Sequence, residues 1–230
     1  MREQPIICID NLVRRTPEGQ TLLHPTSLDV CAGDRLGIVG ESGSGKTLLL
    51  RSLAALDPIQ GGTLRYRNEP ILDKQIPEFR RDVIYLPQRP FLLEGSVEAN
   101  LKMPFELKAN KAKKFNRSRI ENWLEQLGKS VTFLDKINDN LSGGEMQIVA
   151  LLRAIQLDPK ILLLDEPTAS LDESLVTSVE RFVHDWFQQS NRNVAWVWIT
   201  HSKEQARRVC KTVCRMNSGR LLSDIGTGDA

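Results

Sequence analysis

Residues 40–47 read Gly-Glu-Ser-Gly-Ser-Gly-Lys-Thr, a glycine, four residues and then Gly-Lys-Thr. This is the spacing with which a chain wraps phosphate groups. Phosphates carry several negative charges, and backbone N–H groups must come close to them. Gly40, Gly43 and Gly45 lack a Cβ and can adopt the turns that aim those N–H groups inward. The whole loop, including Glu41, Ser42 and Ser44, is therefore expected to line an anion site. Lys46 can reach β- and γ-phosphates, and the Thr47 hydroxyl can hold Mg²⁺. An apolar run (Leu36, Ile38, Val39) precedes the loop and reads as a buried strand. Residues 48–56 read as a helix, whose positive dipole end points at the same place.

Four further groups could act on such a ligand. Residues 161–167 read Ile-Leu-Leu-Leu-Asp-Glu-Pro, which puts two acids at the end of a buried strand, where open α/β sheets bind ligands. Asp165 can hold Mg²⁺ through water, and Glu166 can polarise an attacking water. Residues 141–145, Leu-Ser-Gly-Gly-Glu, open a helix, so Ser142, Gly143, Gly144 and Glu145 form a second place for an anion. Gln88 ends a short apolar strand (residues 83–86) and can touch the metal or its water. His201 directly follows an apolar strand and can contact a γ-phosphate oxygen.

These groups need a scaffold, and the rest of the chain supplies one. The 230 residues are 40% apolar with net charge +2. That is enough for one large α/β domain or one domain with a sub-lobe, and no global charge points to nucleic acid. The first five residues are followed by no long apolar region, so no secretory signal is expected. No apolar run is long enough to cross a membrane. Cys8, Cys31, Cys210 and Cys214 form no metal or redox pattern and read as reduced thiols, the last two falling four apart near a helix end. Strands are expected over residues 6–12, 27–30, 63–67, 161–164 and 194–199, with a polar turn over 14–20. Helices are expected over 142–156, 174–189 and 202–211, and a strand or hairpin over 213–222. Alternating strands and helices imply a largely parallel sheet with an antiparallel β margin. Residues 89–139 are more basic, with sparse, helically spaced apolar positions. They read as a mostly helical inserted lobe, in which Trp123, Leu124 and Leu127 face inward and Gly128 stops a helix. The six basic residues between 108 and 119 read as a solvated helix face, with lipid headgroups or a partner as the alternative.

Taken in order, the five groups resemble those of the nucleotide-binding subunits of ABC transporters, and the resemblance covers residues 6–222. It implies a single domain with a RecA-like P-loop core (about 1–88 and 157–230) and a helical sub-lobe (about 89–156). It implies ATP and Mg²⁺ as cofactors and a head-to-tail homodimer holding two ATP molecules. In that pair, loop 40–47 of one copy binds ATP while Ser142 to Glu145 of the other cover the γ-phosphate. Glu166 resembles the general base, His201 the γ-phosphate contact, and Gln88 the link from Mg²⁺ to a polytopic membrane permease at the cytoplasmic face of the inner membrane. Ser170-Leu171-Asp172 resembles the segment joining the two sites. Two positions depart from the family pattern. Thr16 stands where an aromatic residue often stacks on adenine, leaving Arg15 or Pro17 as substitutes, and Ile148 stands where Arg or Lys is common. Residues 88–97, 100–101 and 196–201 are most similar to the bacterial iron-exporter type. An importer or lipid system is the alternative, followed by a ribosome- or DNA-acting ABC protein. A small-molecule kinase would leave Ser142–Glu145 and His201 unexplained.

Overall fold

The computed structural model describes residues 4–191 and 193–222, so both ends of the expected core lie outside the described residues. Strands β1 (Ile7–Arg15), β2 (Thr21–Val30) and β3 (Arg35–Val39) lead into helix α1 (Lys46–Leu53). β4 (Gly61–Tyr66), β5 (Glu69–Pro70), α2 (Ile76–Asp82) and β6 (Val83–Leu86) follow. Helices α3 (Val97–Lys102), α4 (Arg117–Gln126) and α5 (Gly143–Ile155) come next, linked by short 3-10 turns. The chain then alternates through β7 (Ile161–Asp165), α6 (Glu173–Gln189), β8 (Ala195–Thr200) and α7 (Lys203–Val209) to the hairpin β9 (Thr212–Asn217) and β10 (Arg220–Leu222).

Two sheets result. One is antiparallel, in the order β2-β1-β4-β5, and the other has the order β10-β9-β3-β8-β7-β6. In the second, β9, β3, β8, β7 and β6 run parallel and only β10 is antiparallel. The fold is thus α/β with a largely parallel sheet and an antiparallel margin. Every residue of β7 and β8 is buried, as expected for strands covered on both faces.

Side-chain alternation along these strands separates two cores. Ile161, Leu163, Val197 and Ile199 pack with Leu49, Leu50 and Leu53 of α1 and with Ile7, Ile9 and Leu23 of the antiparallel sheet. Leu162, Leu164, Trp196 and Trp198 pack with Ile148 and Leu152 of α5, Phe182 of α6 and Ile120 and Leu124 of α4. Helices α1 and α5 therefore lie on opposite faces of the central sheet.

The structure departs from the sequence reading in several places. Residues 14–15 continue β1 instead of beginning a turn, because β1 pairs on both sides, with β2 and with β4. The turn shrinks to residues 16–20, closed by the Thr16 amide donating to Gln20 O at 2.9 Å. β2 starts at Thr21, six residues earlier than expected. α1 stops at Leu53: Ala55 takes φ +50°, and Asp57 accepts both Arg51 nitrogens at 2.9 and 2.7 Å. α2 had no clear apolar period and was not anticipated.

The basic residues between 108 and 119 do not share a helix face. Lys108–Asn110 is a 3-10 turn, and α4 begins only at Arg117, where the Asn116 side chain accepts from the Arg119 amide at 3.0 Å. Lys113 donates to Leu157 O just past α5, Arg119 pairs with Asp158 at 2.6 Å and stacks 4.3 Å over Trp123, and Arg117 pairs with Glu121. Lys113 and Arg119 thus fasten the inserted segment to the chain that follows α5. None of the four cysteines forms a disulfide among the described residues, and Cys214 belongs to β9, not to the helix end where Cys210 sits. Among the described residues no helix is long and apolar enough to cross a membrane.

Candidate active site

β3 delivers the chain into loop 40–47 against β9. A Cβ on Gly40 would lie 2.3 Å from Met216 O, so only glycine lets the loop run this close to a neighbouring strand. Gly45 has φ +105°, the left-handed region open to glycine, and starts α1. Lys46 is 5% exposed, and its ammonium donates to Gly40 O at 2.9 Å and Glu41 O at 2.8 Å. Burial lowers its pKa, while the charges of Glu166 and Asp165 oppose that shift. The ammonium is thus held across the loop by two carbonyls, ready to exchange them for phosphate oxygens.

A cleft of about 190 Å³ is lined by residues 42–48, Gln88, Glu166 and His201. Glu166 follows β7 with φ +47°, a strained conformation for a residue with a side chain. Its amide donates to Ile199 O at 3.1 Å, which fixes the turn. Its carboxylate is held from both sides: Oε1 lies 2.6 Å from His201 Nε2, and Oε2 accepts from the Gln88 amide at 2.9 Å. His201 Nδ1 lies 3.1 Å from Gly40 O. Both ring nitrogens therefore face oxygen acceptors.

Asp165 ends β7 and is 2% exposed. Its Oδ2 accepts from the Tyr85 hydroxyl at 2.8 Å, while Oδ1 is buried with no hydrogen-bond partner. Burial first, and the Asp165 charge second, push the Tyr85 phenol well above its usual pKa. An unpartnered carboxylate oxygen is costly unless something hard and positive takes it up. With the Thr47 hydroxyl at the start of α1, this donor set fits Mg²⁺. Tyr85 was not anticipated. Its signal was a tyrosine in an apolar strand, since a buried phenol needs a partner.

Ser142, Gly143, Gly144 and Glu145 are not among the residues lining this cleft. They open α5, on the other face of the sheet. Ser142 Oγ accepts from the Glu145 amide at 3.2 Å and Glu145 Oε2 accepts from the Ser142 amide at 3.0 Å, a reciprocal cap. Burial alone would raise the Glu145 carboxyl, but Lys136, the Ser142 amide and Lys129 outweigh it and hold the pKa at about 2. A Cβ on Gly144 would sit 3.2 Å from Ser170 O and 3.0 Å from Leu171, so the 170–172 segment packs on the start of α5. Ile148 is fully buried in the core, which removes any charged contact from that position. Thr16 sits in the β1–β2 turn.

Residues 23–169 match the family described as ABC transporter. The tungstate uptake system ATP-binding protein TupC of Peptoclostridium acidaminophilum is 34% identical over 215 residues, 94% of this chain and 96% of the relative. The probable iron export ATP-binding protein FetA of Escherichia coli K12 is 32% identical over 192 residues, 84% and 83% of the two chains. Among solved structures, cbiO1 from Clostridium perfringens, part of the ABC transporter complex cbiONQ, is 25% identical with a TM-score of 0.79, covering 96% of this chain and 88% of that one. A dimeric ATP-binding cassette bound to ADP and Pi superposes with a TM-score of 0.85 over 97% of this chain and 100% of that one; at 22% identity it speaks for the fold alone. With the phosphate loop, Glu166 just after β7 and His201 gathered at one cleft, the chain belongs to the ABC transporter family and is an ATP-binding subunit of such a system.

Proposed function

We propose that this subunit hydrolyses ATP with Mg²⁺, as a head-to-tail pair of copies, to drive a separate membrane permease from the cytoplasmic face. One observation carries the reading. Lys46 and Ser142 begin helices on opposite faces of one sheet, so a single copy leaves any triphosphate on Lys46 uncovered on the side away from its own loop. The open start of α5 from a second copy supplies the missing N–H groups. The membership of the similar cbiO1 in a transporter complex supports the permease partner.

In this reading Lys46 leaves the carbonyls of Gly40 and Glu41 to meet the β- and γ-phosphates, while the backbone N–H groups of residues 41–47 hold the rest. Thr47 and Asp165 would hold Mg²⁺, which would neutralise charge on the phosphates. Glu166 orients and polarises the attacking water and accepts its proton. To do so it must free an oxygen from Gln88 or His201, which ties its availability to both neighbours. His201 can then turn its Nε2–H to the γ-phosphate. Residues 89–156 act as the sub-lobe and the rest as the core.

A groove of about 770 Å³ runs beside β6 and α5, lined by Ile84, Leu86, Pro87, Phe91 and Leu93 among others. Phe91 is 74% exposed there. Large exposed apolar surface marks a contact site, and Pro87 adjoins Gln88. A permease seated in this groove would act on Gln88 and, through it, on Glu166. For the cargo, the similarity of residues 88–97 and 196–201 to the iron-exporter type favours iron or another metal leaving the cell.

Glu166→Gln keeps the shape of the site and removes the base. It should bind ATP normally, lose about 10²- to 10⁴-fold in turnover, and persist as a dimer in size-exclusion runs with ATP. Normal turnover would remove Glu166 from its role. For the cargo, cells lacking the protein should accumulate iron; unchanged iron with impaired tungstate uptake would overturn the export reading.

A further inference from the structure

Tyr85 is bonded to Asp165, the acid proposed to hold the metal, and has no part in the scheme above. It sits on β6 directly beside β7, in register with Leu163, and its side chain points to the face of the sheet occupied by α1. Its hydroxyl donates to Asp165 Oδ2 at 2.8 Å. That single bond decides which oxygen of Asp165 is free, because Oδ1 has no partner among the described residues. The phenol is steadied from behind: the Arg51 guanidinium interacts with it and also holds Asp57 in a two-pronged pair, with Arg14 of β1 3.8 Å from the same carboxylate.

We propose that Tyr85 is a positioning residue for Asp165, fixing the carboxylate so that Oδ1 is presented to the Mg²⁺ shell of the bound nucleotide. The proposal rests on the assignment of Asp165 as the metal-holding acid. The physical reason is the one by which hydrogen bonds to a ligating carboxylate orient it and tune its basicity. A carboxylate on a strand end can rotate about its last torsion and exchange its two oxygens. A phenol bound to Oδ2 removes that freedom before the metal arrives. Arg51 near the phenol belongs to the last turn of α1, the helix that carries Lys46 and Thr47.

The test is Tyr85→Phe, which keeps the ring and removes the hydroxyl. Binding of a non-hydrolysable ATP analogue is measured with Mg²⁺ and with EDTA, and Mn²⁺ binding to the analogue-loaded protein is followed by electron paramagnetic resonance. The expected result is unchanged affinity in EDTA, with the gain on adding Mg²⁺ and the Mn²⁺ affinity both reduced about ten- to a hundred-fold. In turnover, the Mg²⁺ concentration for half-maximal rate should rise by a similar factor. A purely packing role would lower the thermal midpoint and leave the metal-dependent gain intact; that outcome overturns the proposal. Asp165→Asn is run in parallel. Loss of the Mg²⁺ gain there together with a wild-type gain in Tyr85→Phe sinks the Tyr85 proposal alone. A wild-type gain in Asp165→Asn sinks the metal assignment and the Tyr85 proposal with it.

Discussion

Gly40 touches the backbone of β9 so closely that a methyl group there would overlap Met216 O at 2.3 Å. A carbonyl on the main chain cannot swing aside as a side chain would, so Gly40→Ala must displace the loop. We expect a loss of about 1–3 kcal/mol in stability and a larger loss of ATP affinity, read by thermal unfolding with and without nucleotide. Gly43 differs: a Cβ there would meet nothing, and its φ of +75° sets the cost. Motif spacing had marked both glycines without separating these two reasons, because only the fold brings residue 216 to residue 40. The same limit hid Tyr85. Its partner is 80 residues away, and strand adjacency, not local pattern, joins them. Gln88, Glu166 and His201 were legible as candidates from their places after apolar strands, and they line one cleft. Their mutual contacts were not, since those depend on three separate strand ends meeting at one edge.

Helix α5 opens with a reciprocal cap and closes against the basic segment before α4, so both of its ends are fixed by groups outside its own ladder. At its start Glu145 works twice, as cap and as the anion for Lys136 and Lys129 at 2.9 and 3.4 Å. Its folded pKa of about 2 lies below the unfolded value of 4.5. The stabilisation is therefore complete above about pH 4.5 and lost as pH falls toward 2. Glu145→Gln retains an oxygen for the Ser142 amide but not the charge. It should cost about 1 kcal/mol near pH 7, the scale of solvent-screened pairs. That difference should shrink to nothing near pH 2, as followed by urea unfolding at several pH values. The long buried strands and helices were readable from their apolar period. The inserted segment was harder, because lysines that fasten a lobe and lysines that face water look alike in a sequence. Lys113 and Arg119 reveal their role only when the carbonyl of Leu157 and the carboxylate of Asp158 arrive beside them.

At the scale of the whole molecule, the helix starts at Lys46 and Ser142, proposed above as two halves of one nucleotide site, belong to different cores, and the central sheet stands between them. A pair of copies related by a two-fold axis would form two equivalent composite sites, each taking Lys46 from one copy and Ser142 from the other. Two damaged chains then test the arrangement. Lys46→Ala removes the cation from the loop. Gly143→Asp places a carboxylate at the start of α5, where a Cβ lies 3.7 Å from Ser170 and so disturbs its own chain little. Each variant alone should lack ATPase activity, since every site in either homodimer carries one defect. When the two are mixed, a mixed pair gathers both defects into one site and leaves the other intact. About a quarter of all sites in an equal mixture should then be whole, and turnover should reappear in the mixture though absent from both components. If a single copy closed its own site, every chain would carry its defect into that site, and mixing would restore nothing.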